Sequence, residues 1–271
     1  MNYFNLSAEE FGRNAKIPIL KLGDSGEVFY EMAAEMIDEI TRNNASGKHT
    51  VFICPVGPVG QYPIFVRLVN KNRISLKNVW FINMDEYLDD NDQWISMEHP
   101  LSFRGHMHRN VYSKLDPELA MPEEQRIFPD PSQPDRILDT INRLGGVDIA
   151  FGGIGINGHI AFNEPQEKLT PDAFAVLTTR KLDISRETRT INAVGDLNGA
   201  IDAMPKRCIT IGMKEILGAR KIRLYCFREW HRSVVRQAAY GEISAKFPVS
   251  LVQRHPDALL TVNNIAAQRA F

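Results

Sequence analysis

The sequence predicts an α/β fold, Rossmann-like, with a mostly parallel sheet, helices on both faces, and a single domain over residues 1–271. Three observations carry that expectation. Short apolar runs of strand character alternate with stretches whose apolar residues recur at helical spacing, the pattern of strands joined by crossover helices. Two motif blocks sit at the ends of strand-like runs, and such sheets bind ligands beyond the carboxyl ends of their strands. The length suits one large α/β domain, and no repeat or low-complexity linker divides it.

Residues 25–44 read as an amphipathic helix, with Val28, Met32, Met36, Ile37 and Ile40 on one face. Thr50–Cys54 reads as a buried strand, ended by the turn Pro55-Val56-Gly57-Pro58-Val59-Gly60, and helix resumes from Pro63 to Val69. Val79–Asn83 is a second strand, with Met84-Asp85-Glu86 at its carboxyl end. A helix is expected over 135–144 and a third strand over 147–151. Later strands are expected at 208–211 and 222–226, with a helix at 214–217 between them. Another helix covers 229–240, and 259–262 is a final short strand.

Composition excludes several function classes. Apolar residues make up 44% and charged residues 24%, as in an ordinary globule. Net charge is −1, and His106-Met107-His108-Arg109 is too short for a basic patch, so no nucleic-acid partner is expected. No apolar run approaches the roughly 18 residues of a membrane helix. Met1 to Leu6 lacks the basic and apolar regions of a signal peptide. Cys54, Cys208 and Cys226 are far apart and odd in number, which fits buried thiols in a reducing compartment; the cytoplasm is the expected location. His99, His106 and His108 lack the acidic or cysteine partners of a metal site, so no metal is expected.

The most informative stretch runs from Gly152 to Pro165 and reads GGIGINGHIAFNEP. Four glycines in seven residues let the backbone turn sharply and approach a ligand closely. An imidazole, His159, and a carboxylate, Glu164, follow five residues apart. A dinucleotide fingerprint does not fit, because the run lacks the ribose-binding acid about 20 residues on. For Asp85 and Glu86 two readings stand: helix-start carboxylates that satisfy free N–H groups, or a catalytic base beside a positioning group. For His159 the two are a satisfied structural residue and a proton shuttle near neutrality.

The stretch resembles the signature of the glucosamine-6-phosphate deaminase (isomerase) family, GG-x-G-x-DGHIAFNEP, with Asn157 where the family has Asp. Asn83–Tyr87 resembles its NMDEY, Glu98–Phe103 its EHPxSY and Met107–Asn110 its MHRN. Met204-Pro205-Lys206 and His255-Pro256 fall where the family has VPK and LHP. The resemblance covers roughly residues 28–263, in the family's order. Related 6-phosphogluconolactonases share only the GDGH-like part.

The resemblance implies a cofactor-free aldose–ketose isomerase and deaminase that converts glucosamine 6-phosphate, or a close analogue, to fructose 6-phosphate and ammonia. Asp85 would be the base that moves a proton between sugar carbons, and Glu86 a positioning group. His159 would shuttle a proton during pyranose opening, with Glu164 orienting or charging the imidazole. Asn157 keeps the size of the family Asp and one acceptor but not its charge, so the imidazole should be less basic than beside Asp. The phosphate would lie near the N–H groups of Gly57, Val59 and Gly60, with Gly155 and Gly158 as further backbone contacts. That loop lacks the family's hydroxyls, and Pro58 removes one donor. Arg232 aligns with the family's phosphate-binding Lys, and Val194 with its Arg. Homo-oligomers, trimers or hexamers, are expected by the same resemblance. Two alternatives stand beside this reading: a sugar-phosphate lactonase, which needs His159 but not Asp85, and a non-catalytic sugar-phosphate-binding module.

Overall fold

The central sheet has seven strands, all parallel. A computed structural model describes residues 3–271; the reading of the N-terminus rests in part on Met1 and Asn2, which lie outside the described residues. In spatial order the strands are β1 (Ile19–Leu22), β10 (Ala258–Asn263), β9 (Lys221–Cys226), β6 (Ile149–Gly152), β2 (Thr50–Cys54), β3 (Val79–Asn83) and β5 (Arg126–Ile127).

Helices cover both faces, and the strand side chains divide accordingly. Along β2, Val51 and Ile53 join one apolar cluster while Phe52 and Cys54 join another. The first cluster takes in α4 (Arg136–Arg143), α7 (Met213–Leu217) and α8 (His231–Tyr240). The second takes in α1 (Ser25–Ala45), α2 (Gln61–Asn72) and α3 (Phe103–Asn110). All five β2 side chains are buried, which is why the strand reads as an unbroken apolar run. Helix α1 begins where the Asp24 carboxylate accepts from the Glu27 N–H, and it buries the stripe Val28, Met32, Met36 and Ile40.

The strand expected at 208–211 is present, but outside the central sheet. That run forms β8 (Arg207–Thr210) in a separate three-stranded antiparallel sheet with β4 (Asp85–Leu88) and β7 (Arg180–Asp183), in the order β4-β8-β7. Asp85 and Glu86 are therefore the first residues of a second strand rather than the loose end of β3. A single residue, Met84, makes the transition: its N–H donates to Cys54 O, and its carbonyl accepts from Ile211 N–H. Among the described residues no helix is long and apolar enough to cross a membrane.

Strand order reverses at β2. The chain steps from β2 outward to β3 and β5, then returns to lay β6 on the other side of β2. The turns leaving β2 and β6 diverge there, which opens a crevice at the carboxyl ends of the two strands.

Candidate active site

A cavity of about 150 Å³ fills that crevice. Engineered cavities near this volume accept a benzene-sized molecule. The β2 turn contributes Gly57 and Pro58, the β6 turn Gly153 and Gly155, and the β3–β4 junction Asp85. His159 reaches it from the glycine-rich turn, and α6 (Arg186–Asp196) lies along one side with Asn192 and Asp196. Phe103, Phe162 and Trp230 supply aromatic wall. Among the described residues no group of three or more His, Cys, Asp and Glu side chains is arranged to hold a metal ion.

Asp85 is 7% exposed and faces the cavity. Among the described residues no group donates a hydrogen bond to its carboxylate. Burial, and then the neighbouring charge of Glu86, push its pKa well above the ordinary carboxylate range. Glu86 points the other way and is fully buried. It accepts from Ser102 Oγ at 2.9 Å, Phe103 N–H at 3.0 Å and Arg104 N–H at 2.9 Å, so it caps the start of α3 from another element. Glu86 thus satisfies a helix start, while Asp85 faces the cavity with no such partner among the described residues.

His159 belongs to a hydrogen-bonded chain. Asn157 Nδ2 donates to Glu164 Oε2 at 2.7 Å, and His159 Nδ1 bonds Asn157 Oδ1 at 2.8 Å. A carboxylate only accepts, so it fixes which end of the amide faces it. The amide oxygen then faces the imidazole, which must carry its proton on Nδ1. The Nε2 lone pair is left to receive a proton. Burial lowers the His159 pKa, and the charge of Glu164 raises it in part. Glu164 acts on the ring through Asn157 rather than by touching it. Its other oxygen accepts from Ser185 N–H at 3.3 Å, the residue that caps α6, and Thr188 Oγ1 lies 3.2 Å from His159 Nδ1. The chain therefore ties the imidazole to α6.

This geometry predicts the effect of Asn157→Asp. A carboxylate in place of the amide puts a charge against Nδ1 and loses the donor to Glu164. The His159 pKa should rise, as read from the pH dependence of its ring signals by NMR; an unchanged or lower value would show that burial alone sets it.

The other expected contacts divide. Gly57 and Gly155 line the cavity; Val59, Gly60 and Gly158 do not. Gly60 is required by packing, since a Cβ there would enter the Phe29 ring. Gly158 has φ +83°, and a Cβ there would enter the Phe247 ring. Arg232 is also turned from the cavity: its Nη2 pairs with Glu229 at 3.0 Å and its Nε donates to Ile265 O at 3.1 Å.

The cation that does line the cavity is Arg228, which sequence reasoning missed. It lies between β9 and α8, at the carboxyl end of a parallel strand. The strand-end rule alone could have found it. His231 holds this turn by accepting at Nδ1 from the N–H groups of Phe227 and Arg228, both at 2.9 Å. Burial, then the charge of Arg228, push the His231 pKa down to about 3, so it stays neutral. Asp196 faces the same cavity with its pKa raised by burial against the opposing field of Arg228. Ala161, another lining residue, has φ +54°, a strained value for a residue with a Cβ.

No family model matches the chain. A glucosamine-6-phosphate deaminase of Clostridium perfringens (strain 13 / Type A) is 30% identical over 247 residues, 87% of this chain and 92% of that protein. One from Hahella chejuensis is 30% identical over 254 residues, 92% of this chain and 90% of that protein. Among solved structures, a monomeric glucosamine-6-phosphate deaminase superposes with a TM-score of 0.79 at 26% identity, covering 92% of this chain and 98% of that one. A 6-phosphogluconolactonase from Trypanosoma cruzi, at 12% identity and a TM-score of 0.65, shares the fold.

Proposed function

This chain belongs to the glucosamine-6-phosphate deaminase family, and from that premise we propose how its residues divide the reaction. The enzyme is an aldose–ketose isomerase and deaminase acting on an amino-sugar phosphate, glucosamine 6-phosphate or a close analogue. Its steps are proton transfers and a hydration, which side chains and water can supply. His159 Nε2 receives the proton of the anomeric hydroxyl and returns it to the ring oxygen, opening the pyranose. Asp85 removes the C2 proton of the open aldose; the C2–H electrons form the C1–C2 double bond while the aldehyde oxygen takes a proton from the substrate's own ammonium group, giving a neutral enolamine. The same carboxyl group delivers the proton to C1, which leaves an iminium at C2. Water adds there and ammonia departs, giving the ketose.

The observation that carries this reading is the donor-free, buried carboxylate of Asp85 sharing one cavity with an imidazole whose Nε2 is unprotonated. Glu86 positions the base by holding α3, and Glu164 positions the imidazole through Asn157. The test is a panel of amino-sugar phosphates scored for ammonia release and for exchange of the C2 proton with solvent. Lactone hydrolysis without exchange would favour the lactonase alternative, which has no use for Asp85. Binding without either activity would favour the non-catalytic module.

We assign the phosphate to the Arg228 side of the cavity, with the Gly57 turn opposite. Arg228 is exposed at the mouth, so its charged hydrogen bond lies between a surface pair and a buried one, about 1–1.5 kcal/mol. Arg228→Ala should raise KM for phosphorylated substrates about 5- to 10-fold, and Arg232→Ala should leave it near the wild-type value. The reverse order would return the phosphate to Arg232. The cytoplasm remains the proposed compartment, on the three buried free thiols. The homo-oligomer is proposed from the sequence resemblance alone; light-scattering mass separates it from the monomeric state named for the structural neighbour.

A further inference from the structure

A second cavity, of about 290 Å³, opens beside the edge strand β5 and shares no lining residue with the first. Its lining includes two stacked guanidiniums. Arg104 lies 4.3 Å from the centroid of the Trp94 ring, and Arg126 lies 4.9 Å from that of Tyr112. Each commits its Nη2 to a backbone carbonyl, Arg104 to Ile95 O and Arg126 to Met121 O, both at 2.7 Å. The Nε of each is buried without a hydrogen-bond partner. Arg104 Nε approaches Glu86 at 3.4 Å, too long and unaligned for a full bond. Arg136, exposed on the same cavity, forms no ion pair among the described residues, and neither does Arg126.

We propose that this cavity binds a phosphate group, free or as a monoester, between Arg104 and Arg126, with Arg136 at the entrance. Stacking fixes each guanidinium plane and leaves its N–H edge for an in-plane acceptor, the geometry in which Arg holds oxyanions. Nη1 of Arg104 and Nη1 of Arg126 make no hydrogen bond among the described residues, and a tetrahedral oxyanion supplies several acceptors at once. The acidic residues on the lining limit the ligand's charge. Asp130 is turned to its own Ser132, accepting from N–H and Oγ, while Glu123 and Glu124 stand exposed. Three carboxylates around three arginines repel a polyanion such as nucleic acid but leave room for one small anion at the stacked pair. The inference does not rest on the activity assigned to the first cavity.

The test is calorimetric titration of the full chain at constant ionic strength. Inorganic phosphate and glycerol phosphate are the two probes, and Arg228→Ala is the background, which weakens binding in the first cavity. One equivalent of probe should still bind. Adding Arg126→Gln should weaken it at least tenfold, and Arg136→Ala, which removes an exposed cation, about fivefold. Arg136 is exposed, so its variant keeps the test valid if Arg126→Gln does not fold. Tighter binding of either probe supports the site and identifies the source, free anion or ester. Absence of binding in the Arg228→Ala background, or unchanged binding in both further variants, overturns the proposal.

Discussion

Asp85→Asn should lower kcat by about 10³–10⁴-fold, the upper part of the range for losing a general base, with substrate affinity largely kept. The amide is nearly isosteric and enters a site where, among the described residues, no group donates to the carboxylate, so no hydrogen bond described there is broken. Exchange of the C2 proton and ammonia release should fall together, because both follow the same abstraction. If either continues at the wild-type rate, Asp85 is not the base.

The same substitution should stabilise the protein at neutral pH, which separates loss of chemistry from loss of fold. Burial and Glu86 raise the Asp85 pKa in the folded state. The unfolded chain ionises this group near pH 4, so as pH rises through the folded value the wild type loses stability that it held in acid. Asparagine has no charge to bury. The Tm of Asp85→Asn should therefore exceed that of wild type at pH 7, and the difference should vanish below about pH 4. The raised pKa also places the acid limb of the wild-type rate profile above the ordinary carboxylate range. An enzyme that holds a strained carboxylate for its reaction commonly gives up stability in this way.

What the sequence disclosed followed burial. β2, β3, β6, β9 and β10 were legible because each is buried on both faces and reads as an apolar run. β1 and β7 were not expected: one lies at the edge of the main sheet and the other at the edge of the small one, and both are partly exposed and carry lysine. Helices α3 and α6 also escaped, since α3 buries only Gly105 and Met107, and α6 only Thr188 and Ala193. The sheet to which the 208–211 strand belongs was not legible, for a different reason. An apolar run reports burial, but it does not report the direction of its neighbour, and β8 pairs antiparallel with β4.

The site was legible where chemistry and backbone coincide in one short stretch. Asp85 and His159 share a cavity, as the positions of their blocks at strand ends imply. The anion side was less legible, because an alignment carries residue type but not side-chain direction. Arg232 keeps the aligned charge yet faces Glu229, and the exposed cation of the cavity comes from a turn with no spacing signal. The relay through Asn157 could not be read either. Its amide serves as both acceptor and donor, and only coordinates reveal that each end meets a different partner.

Gly155→Ala should lower kcat by about 10²-fold while leaving the fold intact. The imidazole of His159 lies directly over Gly155, and a Cβ at that position would fall within the ring. The clash is with a side chain and the backbone φ is ordinary there, so the imidazole would swing aside before the turn broke. Displacing it breaks the bond to Asn157 and removes Nε2 from the substrate, the scale of loss expected for a misplaced proton-transfer group. Gly158→Ala is the control. Its φ is +83° and its Cβ would meet Phe247, so it should lower the Tm by strain and overpacking. The two alanines thus act on different properties three residues apart. A fall in Tm for Gly155→Ala equal to that of Gly158→Ala would make both glycines structural. A substrate supplied in its open-chain form should recover most of the rate lost by Gly155→Ala, because Asp85 is untouched, and failure to recover would place His159 in the proton transfer at C1 and C2 as well.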